Sequence, residues 1–167
     1  MTFSKIIKEI KRNSQEIKIV VVGLDNAGKT TIINSLFNKS IDNVSPTFGY
    51  SINLYNYKDV LIQVLDIGGQ SLFREYWDSY FDKADGIIFV YDLSLDKEIS
   101  QKYLKEIINN SDIPILILGN KVDLINQNAE SLFVDSRIFK LKCSGLKKIN
   151  LEKGMDWLVG ECKKRSF

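Results

Sequence analysis

Residues 17–22 read IKIVVV, an apolar and largely β-branched run that stops at Gly23. Comparable runs occupy 50–57, 60–65, 86–91, 115–119 and 138–142, each bounded by turn residues, and together they predict six strands. The stretches 29–38, 71–81, 96–110 and 151–164 carry apolar residues at intervals of three and four and predict helices. Strands that alternate with helices build a parallel sheet. One connection departs from that rule. Only Lys58 and Asp59 separate the second run from the third, and so short a link can close only an antiparallel hairpin. The expected architecture is α/β: a six-stranded, mostly parallel sheet with one antiparallel strand and helices on both faces.

A different pattern precedes the first strand. Phe3, Ile6, Ile7 and Ile10 fall on one stripe of a helix whose other side carries Lys5, Lys8, Lys11 and Arg12. Residues 1–14 therefore read as an N-terminal amphipathic helix, and residues 15–167 as one domain. Such a helix can pack permanently on the domain, or it can leave for a membrane surface or a partner. Burying its apolar side chains contributes at most roughly 6–12 kcal/mol, and ordering about ten residues costs a comparable amount. Membrane contact through this helix alone is expected to be weak and reversible.

Composition narrows the chemistry by exclusion. With 23 basic and 21 acidic residues the net charge is +2, which gives no strong field for nucleic acid, so no nucleic-acid partner is expected. The chain has no histidine, and its two cysteines lack CxxC spacing, which removes His-based triads and zinc sites. No run approaches the roughly 18 apolar residues of a membrane span. Thr2 stands where N-myristoylation needs glycine, and Cys162 lies too far from the C-terminus for prenylation. The expectation is a cytoplasmic monomer, peripheral at membranes only through its helix.

Directly after the first strand, residues 23–30 read GLDNAGKT, which fits G-x-x-x-x-G-K-[ST]. Glycines there let backbone N–H groups curl around phosphate, while the helix N-terminus adds partial positive charge. Lys29 reaches the β- and γ-phosphates, and the Thr30 hydroxyl takes a position on Mg2+. The fold expectation sharpens to a P-loop NTPase, and later residues must then supply a second metal contact, a γ-phosphate sensor and a base reader. The third strand runs into DIGGQ, where Asp66 can hold a magnesium-bound water and the Gly69 N–H can reach a γ-phosphate oxygen. The Gln70 amide can accept a proton from the attacking water while donating to phosphate. Thr47, held extended behind Pro46 in SPTFGY, can bring a second hydroxyl to the metal.

Base reading falls to NKVD, residues 120–123. The Asp123 carboxylate can accept hydrogen bonds from guanine N1–H and N2–H, a donor pair adenine lacks, which separates GTP from ATP. The Lys121 stem can cover the base, Asn120 can tie this loop to the phosphate loop, and CSG at residues 143–145 can offer a backbone N–H to guanine O6. A GTP-driven switch, a GTP-holding scaffold with negligible hydrolysis and a small-molecule or nucleotide kinase all begin with such a loop. A kinase needs clustered arginines around the transferred group, and here Arg12, Arg74, Arg137 and Arg165 are scattered.

As a set, GLDNAGKT, PTFGY, DIGGQ, NKVD and CSG resemble a small GTPase, and the details are similar to the Arf and Arf-like family. Those details are Asp25 inside the phosphate loop, the double glycine of DIGGQ, YWDSYF at 76–81 and GMDWL at 154–158. The resemblance implies slow hydrolysis of GTP to GDP and phosphate, with Mg2+, in a switch that binds or releases effectors in intracellular trafficking or cargo delivery. It implies an exchange factor and a GTPase-activating protein as further partners. Nucleotide contacts are implied for Asp25, Asn26, Ala27, Gly28, Lys29, Thr30, Thr31, Thr47 and Gly69, and guanine contacts for Asn120, Lys121, Asp123, Ser144 and Gly145, with Cys143 in the same loop. Metal contacts fall to Thr30 and Thr47 beside Asp66, and catalysis to Gln70. The resemblance also implies a nucleotide-dependent N-terminal helix, whose groove fills when the hairpin slides. Leu65 stands where many relatives carry tryptophan, Val122 where glutamine is usual, and Gly145 where alanine is usual.

Overall fold

The structure, a computed structural model, describes residues 2–14, 16–42, 44–45, 47–69, 75–95, 97–125 and 131–166. Among these residues seven strands form one sheet: β1 (Glu16–Gly23), β2 (Tyr50–Tyr57), β3 (Val60–Ile67), β4 (Gly86–Asp92), β5 (Ile115–Asn120), β6 (Ser131–Asp135) and β7 (Ile138–Lys142). The order across the sheet is β2-β3-β1-β4-β5-β7-β6. β3, β1, β4, β5 and β7 are parallel, whereas β2 and β6 run antiparallel at the two edges. The expected six strands with one reversed thus become seven with two reversed. The extra strand, β6, is only five residues long, follows the polar stretch NQNAE, and slips register between Phe133 and Asp135. Its apolar signal is correspondingly short.

The helices are α1 (Phe3–Ser14), α2 (Lys29–Leu36), α3 (Trp77–Phe81), α4 (Lys97–Asn110) and α5 (Leu151–Ser166). Of the helix expected at 71–81, the described part is α3 alone: residues 75 and 76 form a turn that enters the helix at Trp77, so the expected span is shorter there, and residues 70–74 lie outside the described residues.

The period-two pattern of the central strands explains why the sheet takes helices on both sides. Ile17, Ile19 and Val21 of β1, Ile88 and Val90 of β4, and Leu116 and Leu118 of β5 pack with Ile32 and Ile33 of α2 and with Met155, Leu158 and Cys162 of α5. The alternate residues, Val20, Val22, Ile87, Phe89, Ile115 and Ile117, pack with Trp77 and Phe81 of α3 and Ile107 of α4. Val122 is buried in this second cluster, and Leu65 packs against its edge.

The β2–β3 hairpin turns at Lys58, whose φ of 52° is left-handed, and its tip is bound to α5. Tyr57 Oη and Lys58 Nζ both donate to Asp156 Oδ1, at 2.6 and 2.7 Å, and Lys163 Nζ pairs with Asp59 at 2.9 Å. α1 lies beside α5 and adds nothing to either core cluster. Its apolar stripe faces solvent, with Phe3 77% and Ile10 61% exposed, so permanent packing of that stripe on the domain is not what the structure has. No helix among the described residues is long and apolar enough to cross a membrane.

Candidate functional site

The parallel strands all point their C-terminal ends to one edge of the sheet, and that edge gathers the loops singled out by sequence. Residues after β1, β3, β5 and β7 meet there, where open α/β sheets place their ligands. A cavity of about 530 Å³ opens between them, lined by Asp25, Asn26, Gly28, Lys29, Thr30 and Thr31 of the phosphate loop and by Thr47, Gly68, Gly69 and Lys121. Val44 and Ser45 complete the wall; nothing in the residue types at those two positions marks them in advance.

The phosphate loop owes its shape to close backbone approaches. Gly28 has φ +92°, and a Cβ there would collide with the Asn120 side-chain amide. Gly69 lies so close across the cavity that a Cβ would sit 2.5 Å from both the Asp25 nitrogen and the Leu24 carbonyl carbon. These positions therefore admit only glycine without rearrangement. Lys29 is buried, and its ammonium donates to the carbonyl oxygens of Gly23 at 3.2 Å and Leu24 at 2.9 Å. Burial lowers its pKa against the opposing pull of the Asp66 and Asp25 charges.

Three separate segments converge on one point. The Thr30 hydroxyl donates to Asp66 Oδ2 at 2.6 Å and lies 2.7 Å from the Thr47 hydroxyl, which also donates to Asp66 Oδ2, at 3.3 Å. Asp66 Oδ1 is buried and has no hydrogen-bond partner among the described residues. Burial raises the Asp66 pKa, while the threonine hydroxyls and Lys29 pull it down. Two hydroxyls and a carboxylate with one buried oxygen still unused are hard donors, and they suit Mg2+, which takes few protein ligands and keeps waters and phosphate oxygens. The described residues contain no cluster of three or more His, Cys, Asp or Glu side chains.

At the other end of the cavity Asn120 acts as a knot. Its Nδ2 donates to the Ala27 carbonyl at 2.8 Å, and its Oδ1 accepts from the Gly145 N–H at 2.9 Å, so one side chain ties β5 to the loops after β1 and β7. Lys121, at a left-handed φ of 69°, donates to the Asn26 carbonyl at 2.7 Å and pairs with Asp92 Oδ2 at 2.7 Å. Asp123 is exposed in the single 3-10 turn Val122–Leu124 that follows.

The CSG loop is engaged inward. Cys143 and Ser144 are fully buried, and Cys143 N–H donates to Gly119 at 2.7 Å, Ser144 N–H to Ile149 at 3.2 Å. Burial pushes the Cys143 thiol up to about 12. Cys143 thus sits behind the cavity wall, supporting the loop, and the Gly145 N–H expected to meet guanine is given to Asn120. Gln70 lies outside the described residues. Asp92 was not singled out from sequence, although it ends the apolar run GIIFVYD just as Asp66 lies at the end of VLIQVLDI.

A phosphate loop between β1 and α2, hydroxyls and a carboxylate gathered beside it, and an NKVD loop knotted to it define a small GTPase of the P-loop class. The sequence profile of the ADP-ribosylation factor family matches residues 3–162, and the chain belongs to that family. It is 32% identical to ADP-ribosylation factor-like protein 2 of Dictyostelium discoideum, over 97% of this chain and 96% of the relative. It is 33% identical to ADP-ribosylation factor-like protein 3 of Chlamydomonas reinhardtii, over 98% and 100%. Among solved structures it is similar to the Arl6 BBS3 small GTPase of Trypanosoma brucei with bound GppNp, at a TM-score of 0.77 and 26% identity, over 90% of this chain and 99% of that one. The chain is accordingly a GTP-binding switch and a GTPase that uses Mg2+.

Proposed function

We propose that the chain cycles between GTP- and GDP-bound states to capture and release effector proteins in intracellular trafficking or cargo delivery. The observation that carries this reading is the meeting of Thr47 and Gly69 at the phosphate loop, since each comes from a segment outside it. A ligand that bonds both holds both segments; a diphosphate that reaches neither lets them go.

In this reading the loop of Asp25, Asn26, Ala27 and Gly28 wraps the phosphates with backbone N–H groups, and the Lys29 ammonium turns from its carbonyl partners to phosphate oxygens. Thr30, Thr47 and Asp66 hold Mg2+, which when bound neutralises charge on the β- and γ-phosphates. Asp123 reads guanine, Lys121 covers it and Gly69 reports the third phosphate. Gln70 orients the attacking water. Without a partner the rate is expected at about 10⁻⁴ to 10⁻³ s⁻¹, the range of unassisted relatives of this chemistry. A GTPase-activating protein therefore ends the signal, an exchange factor restarts it, and α1 makes a weak, reversible contact with cytoplasmic membrane surfaces.

The test is phosphate release from a single loaded turnover, with and without an activating protein of the family. Gln70→Leu is expected to keep GTP affinity within about twofold and to slow release at least tenfold. Equal release from variant and wild type removes Gln70 from its role, and no release from wild type under either condition leaves a GTP-holding scaffold.

A further inference from the structure

Lys121 is the one NKVD residue whose charged end is fixed from two sides. Its ammonium donates to the Asn26 carbonyl of the phosphate loop and to Asp92 Oδ2, both at 2.7 Å. Asp92 is itself locked. It ends β4, it is only 9% exposed, and its other carboxylate oxygen accepts from the Ser94 N–H at 2.8 Å and the Ser94 hydroxyl at 2.6 Å. The strand beneath is registered, because Asp92 pairs with Asn120 across β4 and β5 and the Leu93 N–H donates to the Asn120 carbonyl at 3.0 Å. A carboxylate with both oxygens used and its backbone in register cannot wander.

We infer that Asp92 is a positioning residue for nucleotide retention: it holds the Lys121 ammonium so that the lysine stem forms a fixed wall of the cavity, and thereby slows nucleotide dissociation. A free lysine side chain samples many rotamers, and an exposed one covers a ligand only part of the time. Anchored at its tip by a charge-assisted bond and at its Cα by a left-handed backbone, the Lys121 stem is ordered before any ligand arrives. Since Asp92 acts through Lys121 and does not line the cavity, it is expected to change how long nucleotide stays and not which base is chosen.

This inference rests on the cavity being the guanine-nucleotide site, and the experiment separates the two. GDP dissociation is followed with a fluorescent GDP analogue on the full chain with Mg2+, for wild type, Asp92→Asn, Lys121→Met and the double variant. Asp92→Asn keeps the size of the side chain and an acceptor for Ser94 but presents no anion to Lys121. Dissociation about tenfold faster than wild type is expected, equivalent to ~1.4 kcal/mol. Lys121→Met, which keeps an apolar stem and loses the ammonium, is expected to speed dissociation by a similar factor, and the double variant to be no faster than either single one. Guanine-over-xanthine preference is expected to stay at the wild-type value in Asp92→Asn.

Additive effects in the double variant, or a changed base preference, overturn the inference, since either means that Asp92 acts on the fold or on the base instead of through Lys121. Should Asp92→Asn not fold, Lys121→Met alone decides: dissociation at the wild-type rate overturns it. Failure of wild type to bind the GDP analogue is instead the failure of the nucleotide-site reading itself.

Discussion

Gly28 combines a left-handed φ of +92° with an approach that leaves no room for a Cβ beside the Asn120 amide. An alanine there meets backbone strain of about 1–2 kcal/mol and displaces the side chain that ties Ala27 to Gly145. Gly28→Ala is therefore expected to weaken nucleotide binding more than tenfold, measured by fluorescent-nucleotide titration; affinity within twofold of wild type would show that the loop can relax around the methyl group. Asp123 poses the opposite case, exposed and free of such packing, so its replacement tests chemistry alone. Asp123→Asn exchanges an acceptor for a donor and is expected to move preference from guanine toward xanthine nucleotides by at least tenfold, read by competition. At this scale the sequence was most legible where a residue type has one use. Lys29, Thr30 and Asp66 meet as their spacing suggested. The inward bonds of Cys143 and Gly145 were not legible in the same way, because the neighbour to which a loop N–H turns depends on packing, which spacing does not record.

The hairpin of β2 and β3 is the element that joins two distant ends of the molecule. One end of β3 carries Asp66 to the Thr30 and Thr47 hydroxyls beside the phosphate loop, and the other, through the Tyr57–Asp59 turn, is fixed to α5. Tyr57 is buried, and its hydroxyl bonds the Asp156 carboxylate at 2.6 Å, so Tyr57→Phe removes one charge-assisted bond while keeping the ring. The expected loss is about 1–2 kcal/mol of unfolding free energy at neutral pH, measured by urea denaturation of the GDP-bound protein. Hydrogen bonds from Lys58 and then Tyr57 hold the Asp156 pKa below its ordinary value. A carboxylate with a depressed folded pKa contributes stability that is present above its unfolded pKa and is lost as pH falls through the folded one. The gap between wild type and Tyr57→Phe is thus expected to narrow below about pH 4; a gap that stays constant there would mean the bond does not depend on the anion. The hairpin was legible because a two-residue link leaves one geometry, and the parallel strands because buried β-branched runs are long. β6 was missed because a five-residue edge strand gains its order from pairing with β7, not from its own pattern.

Across the whole molecule, burial divides the chain where the hydrophobic pattern does. Both core clusters are built from the sheet and the helices α2 to α5, while Phe3, Ile6, Ile7 and Ile10 of α1 remain 39–77% exposed. A helix that presents an apolar stripe to water adds little to the domain beneath it, and it is exposed here together with Thr47 and Gly69 drawn in at the phosphate loop. We propose that this helix is available to a membrane when the third phosphate is present. Removal of residues 2–14 is accordingly expected to leave the melting temperature of the GDP-bound domain within about 3 °C of the full chain, a change of under roughly 1 kcal/mol for a protein this size. The full chain loaded with a non-hydrolysable GTP analogue is expected to co-sediment with anionic vesicles, and the shortened chain is not. Two outcomes would count against this division. A fall of 10 °C or more on truncation would make α1 part of the fold after all, and equal sedimentation of both chains would place the membrane-binding surface on the domain and leave the exposed stripe for a protein partner.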